Sequence, residues 1–128
     1  KNFPTGPRFP DMHEAYNKGL IELANSIAKE KSIRLVHGVY MGVSGPTFET
    51  PAEYRAFYRL GADAVGMSTV PEVIVACHSG IKVFGMSIIT DLGLEGTAVE
   101  VSHEEVQIAA NKAQPLMTEI MREMIRRS

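Results

Sequence analysis

The stretch Gly61-Ala62-Asp63-Ala64-Val65-Gly66-Met67-Ser68-Thr69-Val70-Pro71-Glu72-Val73 decides the fold class. It opens with a glycine where a helix C-cap belongs. A short apolar run over Ala62–Met67 follows and reads as a fully buried strand. Thr69-Val70-Pro71-Glu72 then has the form of a capping box with proline in the first turn, and it predicts a new helix over Val70–Ser79. A helix end, a buried strand and a helix start in so short a span are the signature of alternating strands and helices.

Working outward, the same grammar repeats. Gly80 follows the helix, and Ile81–Ile89 reads as another buried strand. On the other side, Thr50-Pro51-Ala52-Glu53 predicts a capping box opening a helix over Pro51–Leu60. Ile33–Val43, rich in Val, Ile and Tyr, reads as a strand ahead of it. A 3.6-residue pattern from about Met12 to Lys31 predicts a helix. Ser102-His103-Glu104-Glu105 is a third capping box, opening a last helix over His103–Arg127. Asn2–Asp11, which holds three prolines, reads as an extended arm. The order implies an α/β fold: a mostly parallel central sheet with helices on both faces. No repeat, linker or low-complexity tract interrupts it, so residues 1–128 read as one unit.

Composition narrows the function. The chain has 128 residues, 13 Lys+Arg against 15 Asp+Glu, 45% apolar and 22% charged residues. That is too apolar and too weakly charged for a disordered chain. The near-neutral balance, the lack of Trp and the scattered Phe and Tyr argue against nucleic-acid binding. No apolar run can span a bilayer. A single cysteine, Cys77, excludes a disulfide scaffold and points to a reducing compartment, so a cytoplasmic protein is expected. No signal-peptide pattern opens the chain, and the missing initiator Met leads us to expect a processed or truncated product.

In sheets of this kind ligands bind beyond the carboxyl ends of the strands. The candidate loops are therefore Ser44–Thr50, Met67–Val70 and Thr90–Val101. Glu49 precedes the N-cap Thr50. It reads either as a carboxylate favoured by the helix dipole or, with Phe48, as a seat for a flat heterocycle with N–H donors. Ser68 stands at a helix N-terminus, a plain capping turn or an anion site. Thr90 and Asp91 end the third predicted strand, and His103 begins the last helix. Together these polar groups at one sheet edge raise the case for a small-molecule pocket. His13, His37 and His78 have no partner at metal-ligand spacing, and no metal is expected. No G-x-G-x-x-G, P-loop or G-x-S-x-G occurs, so no nucleotide cofactor or serine nucleophile is indicated. Met117, Met121 and Met124 read as a packing stripe, and Cys77 as a small buried hydrophobe.

The segments Gly45-Pro46-Thr47-Phe48-Glu49-Thr50-Pro51-Ala52-Glu53 and Gly61–Val73 closely resemble the trimeric purine nucleoside phosphorylases. Arg8-Phe9-Pro10-Asp11-Met12, Ser87-Ile88-Ile89-Thr90-Asp91 and His103-Glu104-Glu105-Val106 match in the same order. The resemblance implies a phosphorylase/hydrolase-like fold, of which this chain would be the C-terminal part. It implies phosphate-dependent cleavage of purine (deoxy)ribonucleosides, 6-oxopurines preferred, to free base and (deoxy)ribose 1-phosphate, in purine salvage. No cofactor is implied, with inorganic phosphate as co-substrate, and a homotrimer is.

Carried over by motif, Glu49 would accept from N1–H of the base, with Phe48 packed on it. Met67 would lie under the ribose, and Tyr40 and His103 would bond its hydroxyls. Ser68 would contact phosphate. Thr90 and Asp91 would face the five-membered ring. Phe9 would cross into a neighbouring subunit's pocket.

Two departures bear on this. The members selective for 6-oxopurines usually carry Asn where this chain has Asp91. Methylthioadenosine phosphorylases carry Asp there but lack equivalents of Glu49 and His103. An ionised Asp91 would accept from a 6-amino group, and a protonated one would donate to N7. The resemblance also covers only about half of the family's length, without most of its phosphate contacts. A methylthioadenosine phosphorylase and a non-catalytic fragment thus remain alternatives, and the 128-residue chain alone is expected to be inactive.

Overall fold

The computed structural model describes residues 6–93 and 102–128. Among these residues six elements follow in order: α1 (Lys18–Glu30), β1 (Tyr40–Gly42), α2 (Pro51–Arg59), β2 (Ala64–Gly66), α3 (Val70–His78) and α4 (His103–Arg127). β1 and β2 pair in parallel, with Tyr40 opposite Ala64, Met41 opposite Val65 and Gly42 opposite Gly66. The α/β class and its parallel pairing therefore stand. Residues 2–5 of the proline-rich arm and 94–101 of the third candidate loop lie outside the described residues.

The strands are shorter than their apolar runs. Ile33–Val43 contributes only residues 40–42 to the ladder, and Ala62–Met67 only residues 64–66. Ile81–Ile89 joins no ladder among the described residues, although the Val83 carbonyl accepts from Asn17 N–H at 2.8 Å. A β-strand exists only where a neighbour satisfies its backbone, and apolarity alone cannot supply one.

α1 starts later than its periodicity suggests. Asn17 is extended (φ −72°, ψ 121°), and its Oδ1 accepts from Leu20 N–H at 3.1 Å. Upstream, the Asp11 carboxylate takes His13 N–H at 2.9 Å, and Ala15 N–H bonds the Met12 carbonyl. These local bonds turn the chain before the helix can begin.

The capping boxes at Thr50 and Ser102 form with both reciprocal bonds. The one expected at Thr69 does not. Thr69 has φ 73° and makes no side-chain cap, and Val70 N–H instead reaches the Ser68 carbonyl at 2.8 Å. A β-branched residue with positive φ is strained, so the turn that exposes Ser68 is held by its surroundings. Gly61 and Gly80 do close their helices, at φ 91° and 70°.

The core lies between α1 and α4. Ala24, Ile27 and Ala28 meet Ile120 and Met124, with Leu20, Leu23, Ile33, Leu35, Phe84 and Met86 packed around them. Of the predicted methionine stripe, Met124 is buried, Met117 half-buried and Met121 exposed. At the rim, Arg127 makes a forked pair with Glu30 at 3.1 and 2.9 Å and a third bond to Glu123 at 3.0 Å. Lys31 pairs with Glu119 at 2.7 Å. Cys77 is half-buried, its Sγ donating to the Ala15 carbonyl at 3.6 Å.

Ile120 is 1% exposed and packs on Ile27 at 0%, whereas Ile125 on the same helix is 72% exposed. Ile120→Ala is expected to cost about 2–5 kcal/mol, as large-to-small changes in closed cores do. Ile125→Ala should stay within about 0.5 kcal/mol. Urea unfolding of the two variants measures the difference, and equal losses would contradict this packing.

Candidate functional site

Parallel pairing sends both loops that follow the strands out of the same edge of the ladder. After β1, residues 43–50 lead to α2, and after β2, residues 67–69 lead to α3. The two exits are tied by Val43 N–H, which donates to the Gly66 carbonyl at 2.9 Å. Beside them opens a cleft of about 530 Å³, a size suited to a small molecule. Phe48, Glu49, Met67, Thr90 and Asp91 line it together with Tyr54. Glu49, Thr90 and Asp91 are half-buried, while Phe48 and Met67 are exposed.

Glu49 is placed by the cap of α2. Thr50 Oγ1 accepts from Glu53 N–H at 3.3 Å, and Glu53 Oε2 accepts from Thr50 N–H at 2.7 Å. The same bonds from Thr50 hold the Glu53 carboxyl below the usual carboxylate range. With that turn locked, the residue before the cap and the fourth helical residue come together, as in a hydrophobic staple. Here the pair is polar: the Tyr54 hydroxyl donates to Glu49 Oε2 at 3.2 Å. The same hydroxyl lies 3.5 Å from Asp91 Oδ2, and Thr90 Oγ1 donates to Asp91 Oδ1 at 2.9 Å. Burial first, then the charges of Asp91 and Glu49, push the Tyr54 phenol up to about 12. It is therefore a committed hydrogen-bond donor at neutral pH.

Tyr54 is absent from the residues singled out by sequence. The usable signal was its place as fourth residue of a capped helix whose preceding residue is a carboxylate.

The structure does not bring every predicted residue into this cleft. The Tyr40 hydroxyl packs on Gly66, in the space a Cβ there would fill, and Tyr40 does not line the cleft. Ser68 Oγ pairs with Thr69 Oγ1 at 3.3 Å in the exposed turn before α3. His103 is exposed and bonds Gln107 at 3.3 Å along α4, although Val106, on the same turn, reaches the cleft. Phe9 is 81% exposed with the Arg8 guanidinium 5.4 Å above its ring, away from the cleft. Among the described residues no cluster of three His, Cys, Asp or Glu could hold a metal, and no helix is long and apolar enough to cross a membrane.

A family model described as the phosphorylase superfamily matches residues 1–126. The chain is 50% identical over 107 residues to purine nucleoside phosphorylase 1 of Bacillus subtilis, which covers 84% of this chain and 40% of that protein. It superposes at TM-score 0.90 and 46% identity on isoform 2 of purine nucleoside phosphorylase from Schistosoma mansoni, solved with cytosine and ribose-1-phosphate, covering 94% of this chain and 44% of that one. Schistosoma mansoni purine nucleoside phosphorylase solved with inosine and with adenosine superposes at TM-score 0.87 and 40% identity. The chain spans about two fifths of the length of the curated relatives it matches.

The raised phenol fixes the sign of one pH effect. Its stabilising contribution is full below an ordinary tyrosine pKa of about 10 and is lost as pH rises through about 12. The urea midpoint of the wild type is therefore expected to fall more steeply across that window than that of Tyr54→Phe. Parallel slopes would show that the hydroxyl is not held between the carboxylates.

Proposed function

The chain belongs to the phosphorylase superfamily, and on that premise we propose that the protein is a purine nucleoside phosphorylase. The observation that carries this reading is the cleft that sets the Phe48 ring, the Glu49 carboxylate and Asp91 side by side at the carboxyl edge of the strands. A purine needs those three contacts: an apolar surface for its face, an acceptor for N1–H, and a polar group at its five-membered ring.

In phosphorolysis the bond from the sugar C1′ to the purine nitrogen breaks, and a phosphate oxygen bonds C1′ from the opposite side. The departing purine takes the electron pair, and its charge spreads over the ring. Glu49, accepting from N1–H, keeps the 6-oxo form bound. Asp91 faces the five-membered ring, where only its acid form can donate to N7 and so stabilise the leaving base, while its ionised form accepts from a 6-amino group. Met67 lies under the sugar. The exposed Ser68 hydroxyl, with the N–H groups opening α3, takes a phosphate oxygen. Tyr40 and His103 are assigned to the ribose, a role that requires both side chains to reach the substrate from outside the present cleft.

We further assign a cytoplasmic homotrimer acting in purine salvage. Support for the assembly comes from Phe9, an exposed aromatic on an arm that makes it available to a neighbouring pocket.

The complete gene product is expected to release hypoxanthine from inosine only when phosphate is present, and the 128-residue chain alone to release none. Glu49→Ala should lower kcat/KM for inosine by about a hundredfold or more, since it removes a charged acceptor from the base. Asp91→Asn should raise the ratio of kcat/KM for inosine over adenosine by about tenfold, because an amide can donate to N7 without a proton having to be taken up. Hypoxanthine release that ignores phosphate, or a Glu49→Ala variant as active as wild type, would refute this assignment.

A further inference from the structure

Tyr54 touches both carboxylates that the proposed reaction relies on, and the reaction as derived gives it no part. Its hydroxyl reaches Glu49 Oε2 at 3.2 Å and Asp91 Oδ2 at 3.5 Å. Two carboxylates are thus held one hydroxyl apart in the lining of the cleft. A phenol has one proton to donate and an oxygen that also accepts. It can donate to one ionised carboxylate outright, and it can join the second only by sharing that proton or by accepting from the second one's acid form.

The arrangement is pinned on every side. Asp91 Oδ1 takes the Thr90 hydroxyl at 2.9 Å while Oδ2 faces Tyr54, which sets the carboxyl plane and leaves each oxygen a further lone pair for a ligand. Tyr54 occupies one oxygen of Glu49, leaving the other to accept from a ligand. The Tyr54 ring packs on Gly93 in the space a side chain would take: a Cβ there would sit 2.6 Å from its Cγ. α2, begun by its capping box at Thr50, carries the ring.

We propose that Tyr54 is a positioning residue that spaces Glu49 and Asp91 across the purine edge and thereby sets the discrimination between 6-oxo and 6-amino substrates. This rests on the reading of the protein as a purine nucleoside phosphorylase. With the hydroxyl in place the phenol's proton lies between the two carboxylates and offsets their repulsion. Glu49 then stays where N1–H of a 6-oxopurine arrives, and Asp91 stays beside the five-membered ring. Without it, nothing stands between two like-charged side chains, and they move apart.

The role predicts a dependence that a packing role does not. If Tyr54 works by reconciling two acids, its value falls when one of them becomes an amide. The test is a double-mutant cycle of Tyr54→Phe and Asp91→Asn in the complete gene product, read as kcat and KM for inosine and adenosine with phosphate present. Tyr54→Phe alone is expected to raise KM for inosine about tenfold with kcat within about threefold, and to change the inosine-to-adenosine ratio of kcat/KM by about fivefold or more. On the Asp91→Asn background the same substitution should cost less than about threefold. Gly93→Ala, which crowds the ring from its other side, should reproduce the KM effect. An equal loss in both backgrounds, or an unchanged substrate ratio, would overturn the proposal. A wild type that cleaves no purine nucleoside would instead remove the reading beneath it, whereas an active wild type with an indifferent Tyr54→Phe would sink this inference alone.

Discussion

The short parallel ladder between Tyr40–Gly42 and Ala64–Gly66 places the two loops that bring Phe48, Glu49 and Met67 to the cleft. Because the strands run the same way, the loops that follow them leave from one edge, and their polar residues meet there without any contact between distant helices. The register is set by more than backbone bonds. Asp63 Oδ2 accepts from Val39 N–H at 2.8 Å just before the ladder begins, and the Tyr40 hydroxyl occupies the Cβ space of Gly66 at its far end. A slip by one residue would turn every side chain of the strand to the opposite face.

The α1–α4 core is a separate source of order. It buries Ile27 and Ile120 and carries an ion-paired rim, and it holds extended segments 33–35 and 84–86 against itself. The second of these continues into Thr90 and Asp91, so the packed helices supply the third wall of the cleft. α2 is different: it buries no residue. Tyr54 ties it by hydrogen bonds to Glu49 and Asp91, which makes the polar bonds of the site part of what holds the element in place.

Much of this was legible in the chain. Capping boxes at Thr50 and Ser102, glycine stops at Gly61 and Gly80, and the helix ends they mark are written in local chemistry, where the side chain and its backbone partner are neighbours in sequence. The candidate residues Phe48, Glu49, Met67, Thr90 and Asp91 were legible for a related reason: they sit on loops at strand ends. What misled was equally local. A capping-box pattern at Thr69 failed because the turn took positive φ, and helical periodicity before Asn17 failed because Asp11 and Asn17 claimed the backbone donors first.

Sequence by itself determined the α/β class, the order of the elements and the edge of the sheet where the polar loops gather, since each follows from contacts a few residues long. Only the tertiary structure decided which apolar runs pair, which helix faces close into a core, and that Tyr40, Ser68, His103 and Phe9 stand outside the cleft that holds the rest. It alone showed one phenol between Glu49 and Asp91. That meeting joins residues 37 apart in the chain, and no local pattern records a distance closed by folding.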